Sequence, residues 1–206
     1  MPLSQSSFSL TFDKIIRDWY NDEKIMGTII TFYIKAKAFK QTVWFFDACA
    51  QMEIDEYSNY AKALSAYNEA LKYMCKMDND IDRTKMETKL KKKIGYIHEF
   101  LDAKKFSNTN PIQTQKICHR LLRINDQDMV VQIGDCYGLL VNSYVIVQNV
   151  MEAFHLLSEM RSIGLTPEDF IEVDMLRVIK ESEIVPKREE TGNVTFEDTV
   201  VEENFL

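Results

Sequence analysis

The sequence predicts an all-α protein in which about eight helices stack as antiparallel hairpins, forming an α-solenoid. Only six glycines and four prolines interrupt the 206 residues, so long stretches contain no helix breaker. Apolar residues recur at helical spacing, as Leu64, Tyr67, Leu71 and Met74 do at offsets of 0, 3, 7 and 10. No segment alternates polar and apolar residues over a useful length, so we expect no sheet.

Capping residues and breakers divide the chain into its helices. Asp22 is placed to cap the first helix, which we expect to run to about Lys37. Its inward face is predicted to consist of Ile25, Ile29, Ile30, Phe32 and Tyr33. The next three helices are predicted at about 39–54, 58–76 and 81–105.

The second half of the chain follows the same pattern. Pro111 lies early in a fifth helix that Asn125 closes. The sixth, from Asp128 to about Gln148, is apolar almost all round, so we expect it to lie centrally in the array. The seventh runs from Val150 to about Ile163 with Gly164 as its stop, and Pro167 begins an eighth that ends near Ser182.

Charge divides the chain into two parts. The formal net charge is −7, and residues 181–206 carry eight acidic residues against Lys187 and Arg188, a net charge of −6. We therefore expect a helical-repeat domain over residues 1–182 and an acidic, mostly disordered tail over 183–206. Because the folded part is close to neutral, the composition does not favour a nucleic-acid-binding protein.

The cysteines and the N-terminus indicate a compartment. Cys49, Cys75, Cys118 and Cys136 form no C-x-x-C pair, so we interpret them as buried free thiols in a reducing compartment. The N-terminus lacks the charged and apolar regions of a secretory signal, and no run approaches the roughly 18 apolar residues that span a bilayer. A soluble intracellular protein, with no direct membrane insertion, is the expectation.

Two segments carry helical-repeat spacing. Ala63, Tyr67 and Ala70 follow the small–aromatic–small pattern of the second helix in a tetratricopeptide repeat, where small residues allow close helix packing. A second segment matches the aromatic, Leu, Tyr, Ala and aromatic positions of such a repeat through Tyr137, Leu140, Tyr144, Ala153 and Leu157. The alanines Ala63 and Ala153 are 90 positions apart, which is not a multiple of 34, so the repeats are irregular.

Two features allow other interpretations. The segment ending in Gly164-Leu165-Thr166-Pro167 also resembles a single pentatricopeptide unit, a class that reads RNA with several units in tandem. Lys89, Lys91, Lys92 and Lys93 form a cluster that is either a patch for phosphate or an acidic partner, or the solvated face of a long helix. The nearby Tyr96, Ile97 and Phe100 are expected to be core residues rather than base-stacking platforms.

The sequence provides no motif for catalysis. It has no Gly-rich phosphate loop, no G-x-S-x-G and no H-E-x-x-H, and its histidines lack partners at metal-ligand spacing. We therefore expect no enzyme activity, no catalytic residues, no cofactor and no metal site.

Two blocks carry a specific resemblance. The segment that contains ACAQMEIDEY, and the IGD-x-YG-x-L block that begins at Ile133, resemble the C-terminal tetratricopeptide-like region of the intraflagellar transport protein 140 family. The similarity runs from near Ile15 to about Arg161. Proteins of this family are subunits of intraflagellar transport complex A in cilia, and their longer chains place WD40 propellers and further helices before this region.

The resemblance implies a function. It implies a non-catalytic scaffold that acts in retrograde ciliary transport and cilium assembly, at the ciliary base and axoneme and in the cytoplasm. Its implied partners are other complex A subunits and ciliary cargo adaptors, with no nucleic acid. A full-length relative would cover the N-terminal end of this array with the preceding repeat, so we expect an apolar partner-binding edge there, made of Ile15, Ile16, Trp19 and Tyr20. The alternatives are an RNA-binding pentatricopeptide-like protein and a generic tetratricopeptide adaptor for peptide tails.

Overall fold

The computed structural model describes Tyr20, residues 22–78 and residues 81–184, and every regular element within these ranges is helical. Eight α-helices lie in this part of the chain: α1 Glu23–Lys35, α2 Phe39–Asp55, α3 Tyr60–Met74, α4 Ile81–Phe106, α5 Pro111–Leu122, α6 Ile133–Ile146, α7 Val150–Ser162 and α8 Val173–Ile184. A 3-10 turn, Pro167–Asp169, precedes α8. The predicted acidic tail lies outside the described residues, apart from its first two positions.

Each helix packs chiefly against its neighbours in sequence, which makes the array an α-solenoid of antiparallel hairpins. The pairing of α2 with α3 is the most extensive. One core cluster of buried apolar side chains continues from α2 to α8. A smaller cluster of Phe45, Cys49 and Met52 lies between α1 and α2. The predicted fold class is confirmed.

Four helices end in the same tight turn, which sets the angle of the following corner. Lys37, Ser58, Gln148 and Gly164 adopt left-handed φ values of 54°, 46°, 60° and 83°. In each case the next backbone N–H reaches back to the last helical turn, as from Asn59 to the carbonyl of Glu53 at 2.8 Å. The first three are not glycines, so their backbone is strained: the left-handed conformation is one that residues other than glycine seldom adopt.

Polar side chains cap the N-termini of four helices. The oxygens of Asp22, Asn59, Asn110 and Asn149 accept backbone N–H groups in the first turns of α1, α3, α5 and α7. The Asp22 cap predicted from the sequence is therefore confirmed. A capped start directly after a tight stop leaves little freedom in the corner.

Three sequence predictions are wrong in detail. Phe32 does not face inward, since it is 65% exposed on the outer side of α1. α6 begins at Ile133 rather than at Asp128, because Val130 and Val131 are buried in a non-helical connection whose apolar run resembles that of a helix. Pro167 begins the short 3-10 turn, and α8 starts six residues later.

Substitution of Ala70 tests the close contact of the helices. Ala63 and Ala70 are both fully buried, as the small–aromatic–small pattern requires. We expect Ala70→Phe to lower the free energy of unfolding by roughly 1–3 kcal/mol through overpacking. Asn68→Phe, on the exposed face of the same helix, is the control. Equal unfolding midpoints in urea for both variants would contradict the packing.

Candidate partner-binding surfaces

The corner between α2 and α3 is bonded to the start of α6. The Tyr60 hydroxyl donates to Asp135 and accepts the backbone N–H of Gln132 at 3.1 Å, although Tyr60 and Asp135 are 75 positions apart. Ser58 also donates to Asp135 at 3.5 Å, and the Gln132 side chain donates to the Ile54 carbonyl at 3.3 Å. Burial, followed by the bond to Asp135, raises the pKa of Tyr60, so this hydroxyl keeps its proton.

Phe170 lies directly on two glycines of α6. A Cβ atom added at Gly134 would overlap the Phe170 ring, and one added at Gly138 would be 2.6 Å from the Phe170 carbonyl oxygen. Only glycine allows this approach. The segment after α7 is thereby held against α6, where it forms a wall of the cleft described next.

A cleft of about 500 Å³ opens beside this junction. α4 contributes Phe100 and Lys104, and α6 contributes Leu139 and Asn142. Phe170, before α8, and Met175, in its first turn, complete the lining. Apolar side chains form much of the lining, and polar groups stand among them. This combination suits contact with a protein segment.

Of the predicted partner-binding residues, Tyr20 alone lies in the described part of the chain. Its hydroxyl donates to the buried carboxylate of Glu53, and its ring stacks on Tyr57 with centroids 6.2 Å apart. Burial and Glu53 raise the pKa of Tyr20. Tyr20 therefore contributes to the corner between α2 and α3, besides any contact with a partner. Ile15, Ile16 and Trp19 lie outside the described residues.

The lysine cluster of α4 is largely used inside the molecule. Lys93 pairs with Asp47 at 2.5 Å and lies over the ring of Tyr67, while Lys91 pairs with Glu87 at 2.6 Å. Lys92 pairs with Asp126 at 3.0 Å and fastens the connection between α5 and α6. These pairs favour the interpretation as a helix face over that of a phosphate patch. Ile97 and Phe100 are buried core residues, as predicted.

The bonds to the Asp126 carboxylate, which we call the Asp126 clamp, predict that the stability of the fold depends on pH. The Asp128 backbone N–H, Lys92 and the Tyr96 hydroxyl all bond to the Asp126 carboxylate and lower its pKa to about 2. An aspartate in the unfolded chain has a pKa of about 3.9. The bonds to Asp126 therefore stabilise the fold above that pH, and this stabilisation is lost as the pH falls toward 2. Carbon-detected NMR titration should give the low midpoint.

Variants of two neighbouring lysines make that test specific. Lys92→Met should raise the pKa of Asp126, because it removes one of the groups that stabilise the carboxylate. Lys91→Met should leave it unchanged, because Lys91 pairs with Glu87 instead. Equal shifts in both variants would contradict the clamp.

The cysteines differ from the prediction at one position. Cys49, Cys118 and Cys136 are buried free thiols, but Cys75 is exposed just after α3. Burial raises the pKa of Cys49 and of Cys118 to about 12, so these thiols remain protonated and unreactive. Cys75 is thus the accessible thiol of the described chain.

Two further observations concern the described residues only. They contain no group of three or more His, Cys, Asp or Glu side chains arranged to hold a metal ion. In the same part of the chain, no helix combines the length and apolar character needed to cross a membrane.

Comparison with protein families gives a match over residues 40–161, to the C-terminal TPR domain of intraflagellar transport protein 140. The chain belongs to this family. The match begins at the first turn of α2 and ends in the last turn of α7, so it contains both ACAQMEIDEY and the IGD-x-YG-x-L block. A scaffold resembling a subunit of intraflagellar transport complex A, with a cilium-related role, is the function class that this family supports.

The bonded junction joins the two sequence blocks that carry the family resemblance. Gln132, just before the second block, donates to Ile54 of the first, and Tyr60, just after the first block, donates to Asp135 of the second. Phe170 lies beyond the matched region but packs on two glycines inside it. The spacing of Gly134 and Gly138, one helical turn apart, was the signal for this contact that the sequence reasoning missed.

Proposed function

We propose that this protein is a non-catalytic scaffold of intraflagellar transport complex A. It acts by contact with other subunits of the complex and with cargo adaptors, in retrograde ciliary transport and cilium assembly. Its place of action is the ciliary base and axoneme, reached from the cytoplasm. The observation that carries this proposal is the family match over residues 40–161.

The geometry supports a role in binding rather than in chemistry. The Tyr60 hydroxyl and the Asp135 carboxylate bond to each other, and three lysines of the α4 cluster, Lys91, Lys92 and Lys93, bind carboxylates of the same molecule. The cleft between α4 and α6 has the mixed lining of a contact surface.

Proximity labelling in ciliated cells tests the proposal. The full chain, fused to a biotin ligase, should label complex A subunits above the level of the ligase alone, and the fusion should concentrate at the ciliary base. Purified chain should also bind those subunits at micromolar concentration. Labelling of RNA-binding proteins, together with salt-dependent RNA binding, would contradict it and favour the pentatricopeptide alternative.

Polar substitutions in the N-terminal segment test the predicted partner-binding edge. Ile15→Ser combined with Trp19→Ser should weaken binding to complex A subunits while the unfolding midpoint stays the same. Tyr20 is left unchanged in this experiment, because its bond to Glu53 mixes binding with stability. Met151→Ser, at a 64% exposed side chain of α7, is the control. Equal affinity of the unchanged chain, the double variant and the Met151→Ser control would contradict the predicted partner-binding edge.

A further inference from the structure

One end of the array presents a surface rich in lysine, which we call the basic corner: residues 35–40, 72–78 and 81–85. Here α1 and α3 end and α2 and α4 begin, so four helix termini lie together. Contacts join the parts of this surface. Lys76 lies over the rings of Phe39 and Tyr73, at 6.0 and 4.6 Å, and Lys40 pairs with Asp82 at 3.4 Å.

The basic corner has a surplus of positive charge. The sequence over residues 35–40 and 72–85 contains seven Lys or Arg against three Asp, a formal net charge of +4. Lys40 and Lys72 are paired, with Asp82 and Glu69, but Lys35, Lys37 and Lys85 are exposed and form no ion pair with a described carboxylate. A surface of this kind attracts an acidic segment.

Apolar groups stand among these charges. Phe39 and Tyr73 are half-buried at the corner, Ile81 is 74% exposed, and Trp44 is 41% exposed with Lys40 over its ring at 5.3 Å. An occupant that buries these side chains must therefore carry apolar residues as well as negative charge.

The C-terminal segment of the chain has that composition. Residues 185–206 contain six acidic residues against Lys187 and Arg188, a formal net charge of −4. Apolar residues are spread between the acids: Val194, Phe196, Val200, Val201 and Phe205. We propose that this segment docks on the basic corner of the same molecule.

The chain is long enough for this contact. α8 ends at Ile184, and the 22 residues of 185–206 span at most about 70–80 Å when extended. The corner lies two to three hairpins away from α8, about 20–30 Å at ordinary helix spacing. The docked segment would shield the basic corner, so an acidic partner of the scaffold has to displace it. This inference does not depend on the ciliary assignment.

A spin label on the native Cys75 tests the proposal in the full chain. Cys75 is the exposed thiol at the corner, whereas Cys49, Cys118 and Cys136 are buried and stay unlabelled. When the spin label is in its oxidised, paramagnetic form, the amide NMR peaks of residues 194–205 should lose most of their height at low salt. The peaks should recover in 1 M NaCl, where the electrostatic screening length falls to about 3 Å. Full peak heights at low salt would overturn the proposal.

Matched charge reversals show whether the corner itself is the docking site. Lys37→Glu combined with Lys76→Glu should restore the peak heights. Lys104→Glu combined with Lys105→Glu, at the far end of the 26-residue α4, should leave them low. If both pairs restore the peaks, docking at the corner is wrong. The salt titration of the unchanged protein decides the question if a variant fails to fold.

A mixed sample distinguishes one molecule from two. Spin-labelled chain without isotope is added to isotope-labelled chain without the spin label. The proposal expects full peak heights in this mixture. Loss of height that grows with concentration would show that the segment docks on a second copy, which overturns the intramolecular contact.

Discussion

Replacing Gly138 with alanine is expected to lower the free energy of unfolding by about 1–3 kcal/mol, although alanine is the better helix former. The new Cβ would be 2.6 Å from the Phe170 carbonyl oxygen, a backbone atom, so the segment after α7 has to move as a whole. Urea unfolding followed by circular dichroism measures the loss.

Gly95 provides the control for this prediction. It also lies inside a helix, but a Cβ added there meets no atom within 4 Å. Gly95→Ala should therefore stabilise the protein by about 0.5–1 kcal/mol through the lower backbone entropy of the unfolded chain. A similar gain at Gly138 would mean that Phe170 does not pack on α6.

Gly134 separates a side-chain clash from a backbone clash. The nearest atoms that a Cβ there would meet all belong to the Phe170 ring. Phe170→Ala should therefore relieve most of the additional loss caused by Gly134→Ala, but less of the loss caused by Gly138→Ala. A double-mutant cycle for each glycine measures the difference.

Replacing Tyr60 with phenylalanine is the second substitution with a large expected effect. It removes a hydroxyl that donates to Asp135 and accepts from the Gln132 N–H, so both groups lose a partner. We expect the free energy of unfolding to fall by about 1–3 kcal/mol. The start of α6 should also lose amide protection, because this hydroxyl fastens it to the corner between α2 and α3.

Tyr67→Phe is the matched control. Tyr67 is also fully buried, but its hydroxyl has no hydrogen-bond partner among the described residues. Removing that hydroxyl should leave stability unchanged or raise it slightly, because an unpaired buried polar group costs free energy. Equal losses in the two variants would show that the Tyr60 network contributes nothing specific.

The sequence by itself determined the fold class and most of the helices. Apolar spacing is a local property, so Tyr67 and Met74 could be placed in the core, and Asp22 at a helix start, without knowledge of the neighbours. The same rule failed where a connection imitates a helix. Val130 and Val131 are apolar and buried, and an apolar run alone does not distinguish a buried connection from a helix.

The tertiary structure alone decided how distant segments meet. The bond from Tyr60 to Asp135, the approach of Phe170 to Gly138 and the pairing of Lys92 with Asp126 each join residues far apart in the chain. Their geometry depends on the angles of the corners between helices. Those angles depend on residues in the left-handed conformation such as Ser58. Because Ser58 is not a glycine, the sequence does not indicate this conformation.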